Sequence, residues 1–480
     1  MTEPPPTPRP PTLLEALVPV AALILLVGLS FLLFGDAGAE GPNQVALAVA
    51  TMVAVLVATR RGHSLASLSE AAVDSVGSGV GAIFILFAVG ALIGTWALSG
   101  TLLAMVYYGL KLFDPALFYV TATALCAVVS FAIGSSWTVV GTLGVGLMGI
   151  AIGMDLNPAI AAGAIISGAY FGDTTSPLSD SANLAAATGG ADLYDHMRET
   201  LPNSFGALAV ALAVFWLMGT PGTPDVAEEI VSIGAVVRMT PWLFLPLAVV
   251  IGLALLRLPP VTTIFAGALA GGLIAVIVVP ERVVAFAAAP ELPRALSLLK
   301  GVWQALASGY VSTTGDADID ALASRGGMES MLPTIWLIIT AFAFGGIMEA
   351  TGVLQRLVAP VVAWAKSLGA LVAALVAAVF SANVVTADQY LSIVLPGRMF
   401  RAEFDRRGYA PTVLSRAVGA AGTPTSALVP WNSCGAYMAA TLGVGTLSYA
   451  PYAVFGLASP VIAILIAAAG FRAARRPPGA

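Results

Sequence analysis

The sequence predicts an all-α polytopic membrane protein made of two inverted-topology repeats, with broken helices and re-entrant hairpins, in about 11–13 membrane segments. Three observations predict it. Of 480 residues, 58% are hydrophobic and 10% charged, against roughly 25% charged in soluble domains. The 50 glycines and 31 prolines sit in mostly apolar sequence, so many helices must pack closely, break or kink. Two proline-centred polar stretches also recur at a constant offset of 253 residues, Pro158 falling on Pro411.

Taken in order, residues 1–12 are a Pro-rich tail expected to be disordered, and 13–75 hold the N-terminal transmembrane helices. The apolar run 13–34 exceeds the roughly 7–15 residues of a signal-peptide core, so it reads as the first span despite the Ala37-Gly-Ala39 that follows. An acidic turn (Asp36, Glu40) leads to a second span at 45–59, closed by Arg60-Arg61. Basic residues mark the cytoplasmic side, which places the tail inside. The first repeat, 76–220, contains segments near 79–98, 102–113 and 115–133. The Gly134-Ser-Ser-Trp-Thr138 break then introduces 139–153, a pattern that suits a re-entrant hairpin with a polar tip as well as two full spans. A broken helix from 158 to about 190, a polar loop at 192–199 and a span at 204–219 complete it. Linking helices (241–257, 261–279) and a more polar connector fill 221–330. The second repeat, 331–445, supplies 333–352, 368–380, 387–400 and 411–444. A last span at 450–470 and a basic tail (446–480, with Arg472, Arg475 and Arg476) put the C-terminus inside too.

The offset also superposes Pro177 on Pro430, Ala186-Ala187-Thr188 on Ala439-Ala440-Thr441, and Gly190 on Gly443. Upstream, Ser130 to Thr138 has a counterpart in Ser381-Ala-Asn-Val-Val-Thr-Ala-Asp388, and Phe87-Ala-Val-Gly90 in Phe342-Ala-Phe-Gly345. Arg398, Arg401, Arg406 and Arg407 precede Pro411, whereas the aligned first-copy positions are Val145, Met148, Gly153 and Met154. Basic residues in one copy and none in the other set the equivalent ends on opposite sides of the membrane, which is the mark of an inverted repeat.

Four polar breaks can converge: 134–138, 173–183, 381–388 and 423–433. They offer Ser135 and Ser136; Asp173, Ser176, Asp180, Ser181 and Asn183; Asn383, Thr386 and Asp388; and Thr425, Asn432 and Ser433. A carboxylate near a bilayer centre costs roughly 2.5–3.5 kcal/mol, so it carries a partner or a function. Carboxylate, hydroxyl, amide and freed carbonyl oxygens suit a small hard cation, and Asp173, Asp180 and Asp388 are the expected sodium ligands. Burial disfavours a bare carboxylate, so a proton and a sodium ion compete for it. Each acid has a plainer reading as a helix cap or ion-pair partner. Arg416 is expected to snorkel to the cytoplasmic interface, with a substrate-carboxylate clamp as its other reading.

The net charge of −5 excludes a basic nucleic-acid face. The two cysteines, Cys126 and Cys434, and the two histidines, His63 and His196, make neither a disulfide framework nor a zinc site. With no His cluster, phosphate-binding glycine loop or nucleophile with a base, an enzyme is not expected, and neither is a bound cofactor.

Phe171-Gly-Asp-Thr-Thr-Ser-Pro-Leu-Ser-Asp-Ser-Ala-Asn-Leu184, Gly309-Tyr310 with Arg325-Gly-Gly-Met-Glu-Ser-Met331, Phe344-Gly-Gly-Ile-Met-Glu349, Ala387-Asp-Gln-Tyr-Leu391 and Leu428-Val-Pro-Trp-Asn-Ser-Cys-Gly-Ala-Tyr437 resemble the NhaC-type sodium/proton antiporter family of the ion transporter superfamily. The resemblance implies a multi-pass secondary transporter of the bacterial inner membrane that exchanges sodium for protons by alternating access. It leaves room for a homodimer. Some relatives move organic anions or amino acids with the ions, so the alternative is a sodium- or proton-coupled carrier of such a solute. In the family pattern a Lys commonly follows the Gly-Asp, where this chain has Thr174. An acidic pair commonly precedes the second Gly-Thr, where it has Gly419 and Ala420.

Overall fold

The computed structural model describes residues 8–35, 38, 41–219 and 227–475, and the following statements concern those. Residues 1–7, the acidic-turn residues Asp36 and Glu40, and Arg476 lie outside them. Nine helices are long and apolar enough to cross a membrane, or up to eleven if two bent pairs each count as one span. The two proline-broken helices come in addition. Part of the tail expected to be disordered is placed: the Arg9 N–H donates to the Arg61 carbonyl at 3.1 Å, and Thr12 and Glu15 form a reciprocal capping box at the head of Leu13–Phe34.

The repeat is visible as a sequence of helix boundaries. In the first copy Phe118–Ile133 ends at Gly134 in the left-handed conformation (φ 80°), and the chain returns through Ser136–Val139, Val140–Gly144 and Val145–Gly153. Pro158–Thr175 follows, then a break, then Asp180–Gly189 closed by left-handed Gly190. In the second copy Leu368–Thr386 ends at left-handed Ala387 (φ 57°), and Gln389–Arg406 returns. Pro411–Ser426, a break, and Ser433–Leu442 closed by left-handed Gly443 complete it. A non-glycine residue with positive φ is strained, and here it stands where the other copy has glycine.

Each returning pair is a helical hairpin. The Asn157 N–H donates to the Tyr119 hydroxyl at 3.1 Å, and Arg407 donates to the Ala365 carbonyl at 2.6 Å, so each hairpin leaves by the face it entered. Their tips stop at the breaks of the neighbouring helices. A Cβ on Gly134 would lie 2.7 Å from the Leu178 carbonyl carbon, and the Ser433 N–H donates to the Ala387 carbonyl at 2.9 Å.

The broken helices lie head to tail. Near the head of the first, a Cβ on Gly163 would fall 2.4 Å from the Tyr452 carbonyl oxygen, just past the tail of the second. At the tail of the first, a Cβ on Gly189 would fall 2.6 Å from Ser415, near the head of the second. This antiparallel pairing is the inverted relation that the arginine asymmetry predicts, and it brings both proline breaks to the same depth.

The connector between the halves is folded into the body. Helix Arg294–Ser308 lies against Val80–Ser99, where a Cβ on Gly94 would meet the Ala305 carbonyl oxygen at 2.1 Å. The Gly327 N–H donates to the Gly90 carbonyl at 2.7 Å.

Candidate functional site

Asp173 stands one turn before Pro177 in the first broken helix. Proline has no N–H, so the Asp173 carbonyl loses its helical donor, and the Ser181 hydroxyl reaches back to it at 3.3 Å. The Asp173 carboxylate is buried, 7% exposed, and held by hydroxyls. One oxygen accepts from Ser136 Oγ at 2.5 Å and from the Ser136 N–H at 3.4 Å. The other accepts from Ser179 Oγ at 2.7 Å and Ser181 Oγ at 2.9 Å. Ser136 opens the returning arm of the hairpin, so its amide points outward at the acid.

The offset of 253 residues carries this shell to a neutral counterpart: Asp173 to Ser426, Ser136 to Gln389, Ser179 to Asn432 and Ser181 to Cys434. Ser426 Oγ and Cys434 Sγ both donate to Gln389 Oε1 at 3.0 Å. The correspondence runs upstream as well. Ser130 Oγ donates to the Ala169 carbonyl at 2.5 Å, and Asn383 Nδ2 to the Gly422 carbonyl at 3.1 Å. Ser130 therefore pairs with Asn383, two residues beyond the Ser381 that motif similarity indicates. At the tips the acid changes copies: Ser135 Oγ accepts from the Thr138 N–H at 3.3 Å, whereas Asp388 accepts from the Leu391 N–H at 2.8 Å. Asp388 is thus a helix cap as well as an acid. The copies are latched by Trp137 and Tyr437, stacked with centroids 4.1 Å apart, and by the Tyr437 hydroxyl donating to the Trp137 carbonyl at 2.7 Å.

A cavity of about 670 Å³ reaches this junction. Of the residues the sequence singles out, Ser135, Asp173, Asp180, Ser181, Asp388 and Ser433 line it, along with Trp137, Phe342, Tyr390 and Arg257. Asp180 is exposed although it follows the break directly. Ser136 stands behind Asp173. The remaining candidates lie outside the cavity wall and hold the breaks in shape. Ser176 Oγ accepts from the Leu178 N–H at 3.2 Å, and Asn183 donates to the Ser179 carbonyl at 2.8 Å. Thr386 donates to the Ala382 carbonyl at 2.9 Å, and Thr425 to the Ala421 carbonyl at 2.6 Å. Asn383 Nδ2 donates to Thr425 Oγ1 at 3.0 Å, and Asn432 Nδ2 to Asn383 Oδ1 at 3.1 Å.

Asp173, Asp180 and Asp388 share the cavity without forming a carboxylate cage: among the described residues no three His, Cys, Asp or Glu side chains converge as a metal site does. A cation here would be held by one acid and its hydroxyls. Arg416 does not snorkel. It is 1% exposed and pairs with Glu199 at 3.3 Å. Its partner lies on a helix of the other copy, which spacing along the chain does not reveal. Ser179, Gln389, Ser426 and Cys434 were also missed. The offset applied to the neighbours of Asp173 would have found the last three.

The profile of the Na+/H+ antiporter family matches residues 168–471, which include both breaks and the second hairpin. The chain belongs to the Na+/H+ antiporter family. It is 34% identical over 422 residues to the Na+/H+ antiporter NhaC of Alkalihalophilus pseudofirmus, covering 86% of this chain and 88% of that one. It is 33% identical over 476 residues to the arginine/ornithine antiporter ArcD of Halobacterium salinarum, covering 98% and 94%. It is likewise 33% identical over 450 residues to the malate-2H+/Na+-lactate antiporter of Bacillus subtilis, covering 92% of each. In this member of the Na+/H+ antiporter family, Thr174 takes the place next to Asp173 and donates to the Tyr170 and Phe171 carbonyls at 3.0 and 2.9 Å, adding no charge. Gly419 leaves room for the His196 ring, whose Cε1 would lie 3.3 Å from a Cβ there.

Proposed function

We propose that this chain is a multi-pass secondary transporter of the bacterial cytoplasmic membrane that exchanges sodium for protons, with Asp173 as the group for which the two ions compete. The observation that carries this is the buried carboxylate ringed by three serine hydroxyls and a backbone amide at a proline break. A serine hydroxyl has one proton and two lone pairs. Facing the ionised acid it donates; when a sodium ion arrives it turns a lone pair inward, so Ser136, Ser179 and Ser181 become oxygen ligands beside the carboxylate. A proton on Asp173 removes the charge and, with it, the attraction for sodium. A bare carboxylate is costly in a dry interior, so only the neutralised forms move between the two access states.

Asp180 and Asp388 give the cavity a negative wall that concentrates cations. The basic groups Arg401, Arg406, Arg407, Arg472 and Arg475 mark the cytoplasmic face, with both termini on that side. No enzymatic role is assigned, and sodium and protons are cargo rather than cofactors.

A second reading rests on the cavity itself. At about 670 Å³ it exceeds the needs of a bare ion, and its wall joins the exposed Arg257 guanidinium to Asp180. Two relatives are named for amino-acid and carboxylate exchange. A coupled carrier of a small amino acid or organic anion would use this volume.

Proteoliposomes with an imposed pH gradient separate the readings. Sodium alone is expected to collapse the gradient. A gradient that collapses only when an amino acid or organic acid accompanies sodium would favour the carrier, and one indifferent to sodium in every mixture would refute the exchange.

A further inference from the structure

One face of the helix Leu193–Leu217 carries His196, Thr200, Asn203 and Ser204, spaced so that all four point the same way. All are buried, at 1% exposure or less. His196 Nε2, Thr200 Oγ1, Asn203 Oδ1 and Ser204 Oγ find no hydrogen-bond partner among the described residues. Isolated orphans occur in proteins; four within nine consecutive residues form a polar seam, whose His196 meets Ser415 of Pro411–Ser426 and whose Asn203 meets Ser459 of Val454–Ala468. Buried polar groups are satisfied by protein or by ordered water, and a seam of this kind is where water resides.

The seam has two defined ends. At the rim, Glu199 pairs with Arg416 and Arg472, both at 3.3 Å, and Arg198, Asp192, Asp195 and Arg401 are the other charges near that end. One turn nearer the helix start, His196 Nδ1 lies 3.0 Å from Ser415 Oγ, which donates to the Thr412 carbonyl at 3.3 Å. His196 Nε2 is the ring nitrogen left without a partner. Farther in, Asn203 Nδ2 donates to Ser459 Oγ at 3.0 Å, and Ser459 Oγ to the Ala420 carbonyl at 2.9 Å. That carbonyl is free because its helical donor would be Pro424, which has no N–H. On the neighbouring helix Pro158–Thr175, Tyr170 is 1% exposed, with Ser426, Cys434 and Asp173 around it.

We propose that this seam holds a file of water molecules that carries protons between the Glu199 rim and Asp173, separate from the cavity through which sodium reaches the same acid. The proposal rests on the exchange reading above. Each hydroxyl or water in the file accepts one proton and releases another, so charge crosses without any heavy atom moving along it. A sodium ion would need its whole oxygen shell at every step and finds no carboxylate on the way.

The test compares two fluxes through the full-length protein in proteoliposomes. Exchange of external sodium for internal radioactive sodium at equal pH on both sides requires no proton; sodium/proton exchange does. In Thr200→Val with Asn203→Leu, proton-coupled exchange is expected to fall about tenfold while sodium/sodium exchange stays within about twofold of wild type. Thr200→Val alone, nearly isosteric, is expected to show the same split to a smaller degree, and it decides the matter should the double variant not fold. Equal loss of both fluxes, or loss of neither, would overturn the water file. A wild-type protein without sodium/sodium exchange would contradict the exchange reading instead.

Discussion

Replacing Asp173 by Asn is expected to lower sodium-dependent proton movement in proteoliposomes by at least about a hundredfold, or ~2.7 kcal/mol, with the protein still inserted and folded. The side chain is isosteric, so the packing around the break is kept. What changes is charge and hydrogen-bond sense. The amide cannot exchange a proton for a cation, and its NH2 end faces hydroxyl groups that donate to the native carboxylate. These serines can turn to accept, so the fold tolerates the change while the coupling does not. Asp180 provides the comparison, since it is exposed to the cavity and lacks such a shell. Asp180→Asn is expected to weaken apparent sodium affinity without abolishing exchange. Equal transport by wild type and Asp173→Asn would remove Asp173 from the mechanism.

The second large effect is expected at Gly172. A Cβ there would lie 2.2 Å from the Ser130 carbonyl carbon and 2.3 Å from the Phe131 nitrogen, so no side-chain rotation relieves the clash. Gly172→Val must push Phe118–Ile133 away, break the Ser130–Ala169 hydrogen bond and carry the Gly134 tip off Leu178. A displacement of about 1 Å at a preorganised site costs on the order of a hundredfold in rate, and overpacking costs roughly 1–3 kcal/mol of stability. Both transport and the thermal midpoint in detergent should fall. The second copy shows why the position is specific: Gly172 corresponds to Thr425 and Ser130 to Asn383, and there Asn383 Nδ2 donates to Thr425 Oγ1 at 3.0 Å in place of the glycine's close backbone contact. An active Gly172→Val protein of unchanged midpoint would show that the arms need not touch.

Much of the architecture was legible in the sequence because prolines and glycines are punctuation. Pro158, Pro177 and Gly190 recur as Pro411, Pro430 and Gly443, and the arginines before Pro411 give the orientation. The hairpins could be read only as one of two arrangements, since apolar arms of such length describe a re-entrant loop and a pair of spans equally well. Contact of Gly134 with Leu178 and of Ala387 with Ser433 sets both tips against the proline breaks, which is the arrangement of a re-entrant hairpin. The candidate site was legible in its acids and less so in its shell. Spacing along a chain does not say that Ser179 and Ser181 fold back across Pro177 onto Asp173, or that Asn183 turns toward the backbone. Arg416 looked like an interfacial cation because its partner Glu199 is distant in sequence. The sequence reads 192–199 as a polar loop before a span at 204–219, whereas the structure makes Leu193–Leu217 one helix, and only packing reveals that its polar face is buried.

Sodium binding by the purified protein offers the most direct test of competition at Asp173. Calorimetric titrations in buffers of different ionisation enthalpy, at a pH where the acid is protonated, count the protons released per ion bound. About one proton per sodium ion is expected from wild type, and no sodium binding from Asp173→Asn. Sodium binding that releases no proton, or that persists undiminished in Asp173→Asn, would contradict the account.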